Sequence, residues 1–273
     1  MKYIFLSTII LSLLFSTTKS FALINGVIDH TGKFPFVALV GGCTATKVSP
    51  QHYILAAHCY MQKIKPLIHT MKNSKQALSL DNSQISLHPS WIETCSKINC
   101  SGLEIGTPQD NPRKVDLAIV KLAKPDYSIP FVQIDYGSIN TGESVVIAGF
   151  GCTADIGEEG DGLRYAESIV VSADIMKHQH SLYAPVADLA SQSNFVTPGY
   201  SYNTRYSSLC PGDSGGPVFR MKNSSPVLIG INADYTFFGP YERSISVTNV
   251  HTRISDDSFY SVGKWVREQL LKL

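Results

Sequence analysis

From residue 23 onward the chain is written in short apolar bursts. Phe34-Pro35-Phe36-Val37-Ala38-Leu39-Val40 is an aromatic and β-branched run that reads as a strand. Comparable runs follow at 53–59, 85–87, 117–122, 144–148, 163–172, 217–220, 227–232 and 246–254, broken by Gly, Pro or Asn. Strands this short predict an antiparallel all-β sandwich or pair of barrels rather than βαβ units. Only the C-terminus reads as helical. There Phe259, Val262, Trp265, Val266 and Leu270 fall near helical spacing behind Asp256 or Asp257 as a cap, an apolar stripe that packs on the body. The least regular stretches, 92–114, 156–162, 178–208 and 235–244, are long loops of the kind that carry specificity. There is no internal repeat and no low-complexity linker.

The first residues have a different grammar. Met1-Lys2 precedes about a dozen apolar residues, then Ser16-Thr17-Thr18-Lys19 and Ser20-Phe21-Ala22, which describes a secretory signal cleaved after Ala22. The apolar run is shorter than the roughly 20 residues that span a bilayer. The expected division is therefore a signal peptide at 1–22 and one exported domain at 23–273, with no membrane attachment after cleavage. Removing Lys2 and Lys19 takes the 23 basic residues to 21 against 22 acidic ones, so the charge moves from +1 to −1. No broad field points to nucleic acid or an anionic membrane. Export also decides how six cysteines are read: an oxidising compartment favours three disulfides, and six cysteines allow fifteen pairings. With no repeated Cys-x-x-Cys and no third ligand beside His178-Gln179-His180, no metal is expected. Asn99 and Asn223 begin sequons that matter only in a glycosylating host.

The strongest chemical signal is Cys210-Pro211-Gly212-Asp213-Ser214-Gly215-Gly216-Pro217. A Ser on a side-chain-poor turn can meet a substrate carbonyl closely, and the backbone N–H groups of Gly212 and Ser214 are free to converge on one point. A neutral hydroxyl is a weak nucleophile, so it needs a base and a carboxylate to orient that base. Ala56-Ala57-His58-Cys59 offers the base. Asp116, at the entrance of the apolar strand 117–122, offers the carboxylate, and its partial burial calls for a hydrogen-bonded partner.

Taken together, Cys43 with Leu55-Ala56-Ala57-His58-Cys59, Asp116-Leu117-Ala118-Ile119-Val120-Lys121-Leu122, and Gly212-Asp213-Ser214-Gly215-Gly216-Pro217 resemble the trypsin/chymotrypsin-like serine proteases, in the His, Asp, Ser order of that family. The resemblance runs from Leu23 to the C-terminal helix and suggests a secreted, bacterial-type member. It implies two six-stranded antiparallel β-barrels with the active site between them. It assigns His58 as general base and acid, Asp116 as its orienter, Ser214 as nucleophile, and the N–H groups of Gly212 and Ser214 as the oxyanion hole. It also implies bridges Cys43–Cys59 beside the base, a local Cys95–Cys100 and Cys152–Cys210. An α-amino group freed at Leu23 would pair with Asp213, so removal of the signal would itself create the active N-terminus.

Where the motifs depart from the family, the departures concern specificity. Ser208 stands at the base of the primary pocket where trypsin-type enzymes carry an Asp, so there is no counter-ion for a substrate Lys or Arg. Asn249 and Tyr235 align with glycines of the pocket wall and shorten or fill the slot, which points to a small or apolar residue before the scissile bond. Asn232-Ala233-Asp234-Tyr235 departs from the usual Ser-Trp-Gly pattern of the segment that pairs with substrate, and the stretch 92–114 is expected over the nonprimed side of the cleft. The expected protein is a monomeric secreted serine endopeptidase with protein or peptide substrates and no cofactor. The alternative is a protease-like domain that has lost turnover and binds a partner.

Overall fold

The computed structural model describes residues 23–62, 67–71, 74–78, 83–97, 114–152, 162–178, 188, 191–199, 206–238 and 245–272. The expected signal peptide, Asn99, Cys100 and Gln179-His180 lie outside them.

After a short β1 (Val27–Ile28), the first sheet is built from β2 (Val37–Val40), β3 (Cys43–Lys47), β4 (His52–Leu55), β5 (Leu67–Met71), β6 (Ser74–Leu78), β7 (Gln84–Leu87) and β8 (Ala118–Lys121). Its order is β6-β5-β2-β3-β4-β8-β7, antiparallel throughout. The second sheet holds β9 (Gln133–Ile134), β10 (Ser144–Gly149), β11 (Arg164–Ile169), β12 (Asn194–Pro198), β13 (Pro217–Lys222), β14 (Ser225–Phe238) and β15 (Ile245–Arg253). Its order is β1-β11-β10-β13-β14-β15-β12, with β9 alongside β14. Val171, just past β11, donates its amide to Val196 of β12 at 3.0 Å, and that bridge closes β11, β10, β13, β14, β15 and β12 into a ring. The all-β, two-barrel architecture is thus present. The first sheet counts seven strands, and the second counts eight because the two-residue β1 and β9 are added to its six-stranded ring.

The local chemistry explains these elements. β3 and β4 are buried at every residue, as expected of strands covered on both faces. β13 and β14 are joined by Asn223 and Ser224, both with positive φ (49° and 65°), the paired left-handed geometry of a two-residue hairpin turn. Between the barrels, Phe34 stacks on Phe219 of β13 with centroids 5.3 Å apart, and Phe36 meets the same ring edge-on at 5.6 Å. Val262 and Val266 of the C-terminal helix Val262–Leu270 close the same core.

Several boundaries differ from the sequence reading. A helix, Pro89–Lys97, occupies part of the stretch read as irregular from residue 92. Its apolar signal is only Trp91 against an exposed Ile92, and it is held by polar bonds instead: the Ser90 amide donates to His88 Nδ1, and Thr94 Oγ1 donates to the Ser90 carbonyl. β12 falls inside 178–208, and β14 continues past Tyr235 to Phe238. The C-terminal helix is not capped by Asp256 or Asp257: Ser261 is the N-cap residue and makes no side-chain cap bond, while the Val262 amide donates to Ser258 Oγ at 2.8 Å. Asp256 instead pairs with Arg267 at 2.6 Å, and Phe259 lies outside the helix, half exposed.

The first barrel buries a lysine completely. Lys47 is fully buried, its ammonium donating to the Asp126 carboxylate, to the Asp126 carbonyl at 2.8 Å and to the Ile129 carbonyl at 3.0 Å. Burial works against the Asp126 charge, but hydrogen bonds from Lys47 and Ser128 outweigh it and hold the carboxyl below its usual value. A carboxyl lowered on folding contributes stability above its unfolded pKa and loses it as pH falls through the folded one. Asp126→Ala strands the ammonium and is expected to cost about 3 kcal/mol at pH 7 in chemical denaturation, with the difference shrinking below pH 4. Lys47→Met with Asp126→Ala should recover most of the loss. Equal denaturation midpoints for wild type and Asp126→Ala would sink this account.

Candidate active site

His58 leaves β4 in a short 3-10 helix, Ala57–Gln62, and the disulfide Cys43–Cys59 fixes that helix to β3. Asp116 sits two residues before β8, in a segment held by the His88 amide on the Leu117 carbonyl (3.0 Å) and the Val115 amide on Ser90 Oγ (3.0 Å). Because β4 and β8 are paired, their ends bring the two side chains together. His58 Nδ1 lies 2.6 Å from Asp116 Oδ2, and the His58 amide donates to Asp116 Oδ1 at 3.0 Å. Both residues are buried. Burial disfavours the imidazolium, but the charge and hydrogen bond of Asp116 outweigh it. Asp234 adds to them and Lys114 opposes them, so His58 is held above its ordinary value. This is the electrostatic setting of a base that must take up a proton.

The Gly-rich loop belongs to the second barrel and packs on the first. The Thr44 amide of β3 donates to the Ser214 carbonyl at 2.8 Å, and Cys59 Sγ lies 3.7 Å from that oxygen. Ser214 is thereby fastened beside the residue that follows His58. Gly212 has φ +100°, and a Cβ there would come within 2.7 Å of Gly151 Cα; Gly215 has φ +80°, and a Cβ would meet the Thr44 carbonyl at 2.3 Å. Neither position has room for a side chain. The segments 149–152 and 210–213 are laced together by Cys152–Cys210, by the Cys152 amide on the Pro211 carbonyl (2.9 Å) and by Asp213.

Asp213 is fully buried, accepting the amides of Gly151 at 2.8 Å and Cys210 at 3.0 Å. Burial lifts its carboxyl to about 7 against those two bonds. Leu23 is joined here to Ala22, so no α-amino group exists to meet Asp213. Leu23 is nonetheless fully buried, in the same apolar cluster as Leu209 and Val218. Ile24 pairs with Ser208 through two backbone bonds of 3.1 Å. Of the expected bridges, Cys43–Cys59 and Cys152–Cys210 are formed; Cys95–Cys100 lies outside the described residues.

The three residues expected to line a pocket all lie in the second barrel. Tyr235 stands opposite Asn249 in the strand register, and Ser208 is buried beside Ile24. Asn249 is fully buried. Its Nδ2 donates to Thr197 Oγ1 (3.1 Å), the Pro198 carbonyl (3.3 Å) and the Ser207 carbonyl (2.9 Å), and its Oδ1 accepts the Leu209 amide (2.8 Å). The chain of bonds continues. Thr197 Oγ1 meets His251 Nε2 at 3.0 Å, His251 Nδ1 meets Asn232 Oδ1 at 3.1 Å, and Asn232 Nδ2 donates to the carbonyls of Ala148 (2.9 Å) and Asp213 (3.2 Å). Burial pushes His251 down to about 3, so the ring is neutral. One proton order then satisfies every link: Asn249 to Thr197, Thr197 to His251, His251 to Asn232. Thr44, Thr197, Asn232 and His251 escaped the sequence reading. The one signal for them was polar residues at the inward positions of otherwise apolar strands.

These features can be set against known proteins. The family model described as Trypsin matches residues 24–259. A curated trypsin from Squalus acanthias is 28% identical over 182 residues, covering 64% of this chain and 68% of that protein. With the family model spanning most of the chain and the two-barrel fold beneath it, this protein belongs to the trypsin family of serine proteases.

Proposed function

We propose that the mature chain is a secreted serine endopeptidase that hydrolyses peptide bonds through an acyl-enzyme on Ser214. His58 takes the Ser214 proton as the hydroxyl attacks the carbonyl, then returns it to the leaving amine. Asp116 holds the ring in the tautomer that presents Nε2 and stabilises the imidazolium formed on the way. The N–H groups of Gly212 and Ser214 receive the charge that develops on the carbonyl oxygen. The observation that carries this reading is the buried His58–Asp116 pair, doubly hydrogen-bonded, with the Ser214 backbone anchored alongside it.

The test is labelling of the processed protein by a fluorophosphonate. Wild type should react and Ser214→Ala should not; a processed wild type that fails to label supports a partner-binding domain without turnover. Asp116→Asn should lower kcat by roughly 10⁴-fold with little change in KM. Because His58 must be neutral to act and is held above 6.5, the acid limb of kcat/KM should lie above pH 6.5. Asp234→Asn removes one of the charges that raise it, so the limb should move to lower pH; an unmoved limb contradicts this.

Activation follows the same logic. A carboxyl raised on folding makes stability fall as pH rises from its unfolded value, near 4, to its folded one near 7, and stay low above it. In the unprocessed chain, Asp213→Asn should therefore be neutral or stabilising at pH 8. Once Leu23 carries a free amine, the same substitution removes half of a buried ion pair and should cost about 3 kcal/mol and most of the activity. A loss of similar size in both forms, or an N-terminus of the secreted protein other than Leu23, overturns this account.

Specificity is read from Ser208, Tyr235 and Asn249. No carboxylate lies at the pocket base in the reading, and the Asn249 amide is occupied by its four main-chain and side-chain partners. A peptide library should show cleavage after small or apolar residues; a preference for Lys or Arg would refute this.

A further inference from the structure

An oxyanion hole needs two N–H groups pointing at one place, and each peptide plane carries an N–H opposite the preceding carbonyl. The Gly212 N–H is therefore aimed by whatever holds the Pro211 carbonyl, and the Ser214 N–H by whatever holds that of Asp213. The first accepts the Cys152 amide at 2.9 Å; the second accepts the Gly216 amide at 2.9 Å and Asn232 Nδ2 at 3.2 Å. Between these planes lies the Gly212–Asp213 peptide. It follows Gly212 at φ +100°, a residue with no side chain to restrain the plane.

That middle plane is gripped by Thr44. Its Oγ1 donates to the Gly212 carbonyl at 2.8 Å, and the same oxygen accepts the Phe150 amide at 3.0 Å. Since Phe150 N–H can only donate, the hydroxyl proton is directed to Gly212. The Thr44 amide holds the Ser214 carbonyl at 2.8 Å. One residue of β3, fully buried and adjacent to the Cys43–Cys59 bridge, thus binds the carbonyls of both residues whose amides would stabilise the oxyanion.

We propose that Thr44 is a positioning residue for the oxyanion hole: its hydroxyl fixes the Gly212–Asp213 peptide so that the Gly212 N–H stays turned toward the reacting carbonyl. The inference rests on the serine-endopeptidase reading above. It gives the first barrel a second part in the reaction besides supplying the base and its carboxylate.

Thr44→Val keeps the shape and removes the hydroxyl; Thr44→Ser keeps the hydroxyl. With a peptide substrate of the processed enzyme, Thr44→Val should lower kcat by about tenfold or more while KM stays within about twofold, because the contact acts on the transition state. The inhibition constant of a peptide aldehyde, whose hemiacetal oxygen occupies the hole, should rise by the same factor, and Thr44→Ser should restore both. If Thr44→Val does not fold, Thr44→Ala read against Thr44→Ser serves in its place. Turnover in wild type with kcat and aldehyde inhibition unchanged in the hydroxyl-less variant overturns the inference alone. A wild type that neither labels nor cleaves removes the reading beneath it as well.

Discussion

The Asp213 carboxylate is buried with two backbone amides and, among the described residues, no cation. Its space is made by Gly149 and Gly151, where a Cβ would fall 2.2 Å from Oδ1 and 2.5 Å from Cγ respectively. A buried charge in that position is costly, and the carboxyl answers by rising to about 7. The loop that carries Ser214 is thus built around a group that is out of balance in the continuous chain. Leu23 is already seated in an apolar cluster with Leu209, and Ile24 is paired with Ser208, so in the proposed processed form the new amine would start from a segment that the second barrel already holds. The energy that completes the loop would then be electrostatic and local.

What keeps such a loop from collapsing onto its own carboxylate is that it is held from both barrels. The second barrel contributes Cys152–Cys210, the Cys152 amide and Asn232; the first contributes Thr44 through both its amide and its hydroxyl. The stacked Phe34 and Phe219 rings fix the distance across which Thr44 must reach. Aromatic contacts of this kind are close-packed and prefer stacked or edge-on geometry, and that rigidity is what lets a single hydroxyl set the orientation of a peptide.

The strands and the pairing of His58 with Asp116 were legible because each leaves a local mark, and the two-barrel plan followed from the family resemblance. Short β-branched runs announce strands, and an Asp-Ser-Gly-Gly turn announces a backbone that tolerates no side chains. The helix Pro89–Lys97 was not legible, since its stability comes from Ser90 and Thr94 bonding its ends and from Ser90 reaching Val115, rather than from an apolar stripe. The capping of the last helix was misread for a related reason: Asp256 resembles a cap in sequence but is drawn away by Arg267. Thr44 and Asn232 left only a faint mark, a polar residue at an inward strand position. Their partners are main-chain carbonyls 168 and 19 residues away, and such bonds are created by packing and not by pattern.

The buried polar chain from Asn249 to Asp213 bears on the specificity proposed above. If Asn249 lines the pocket, its amide, already satisfied by Thr197, Pro198, Ser207 and Leu209, offers a substrate side chain no hydrogen bond to win. Its neutral His251 has one donor and one acceptor, and both are used, so the chain cannot reverse without stranding a buried group. Asn249 and the carbonyl opposite the Ser214 N–H are therefore parts of one hydrogen-bonded unit. On the proposed reading, a change at Asn249 intended to widen the pocket would also disturb the Asn232 amide that holds the Asp213 carbonyl, so specificity and rate are expected to resist separation by single substitutions along the chain.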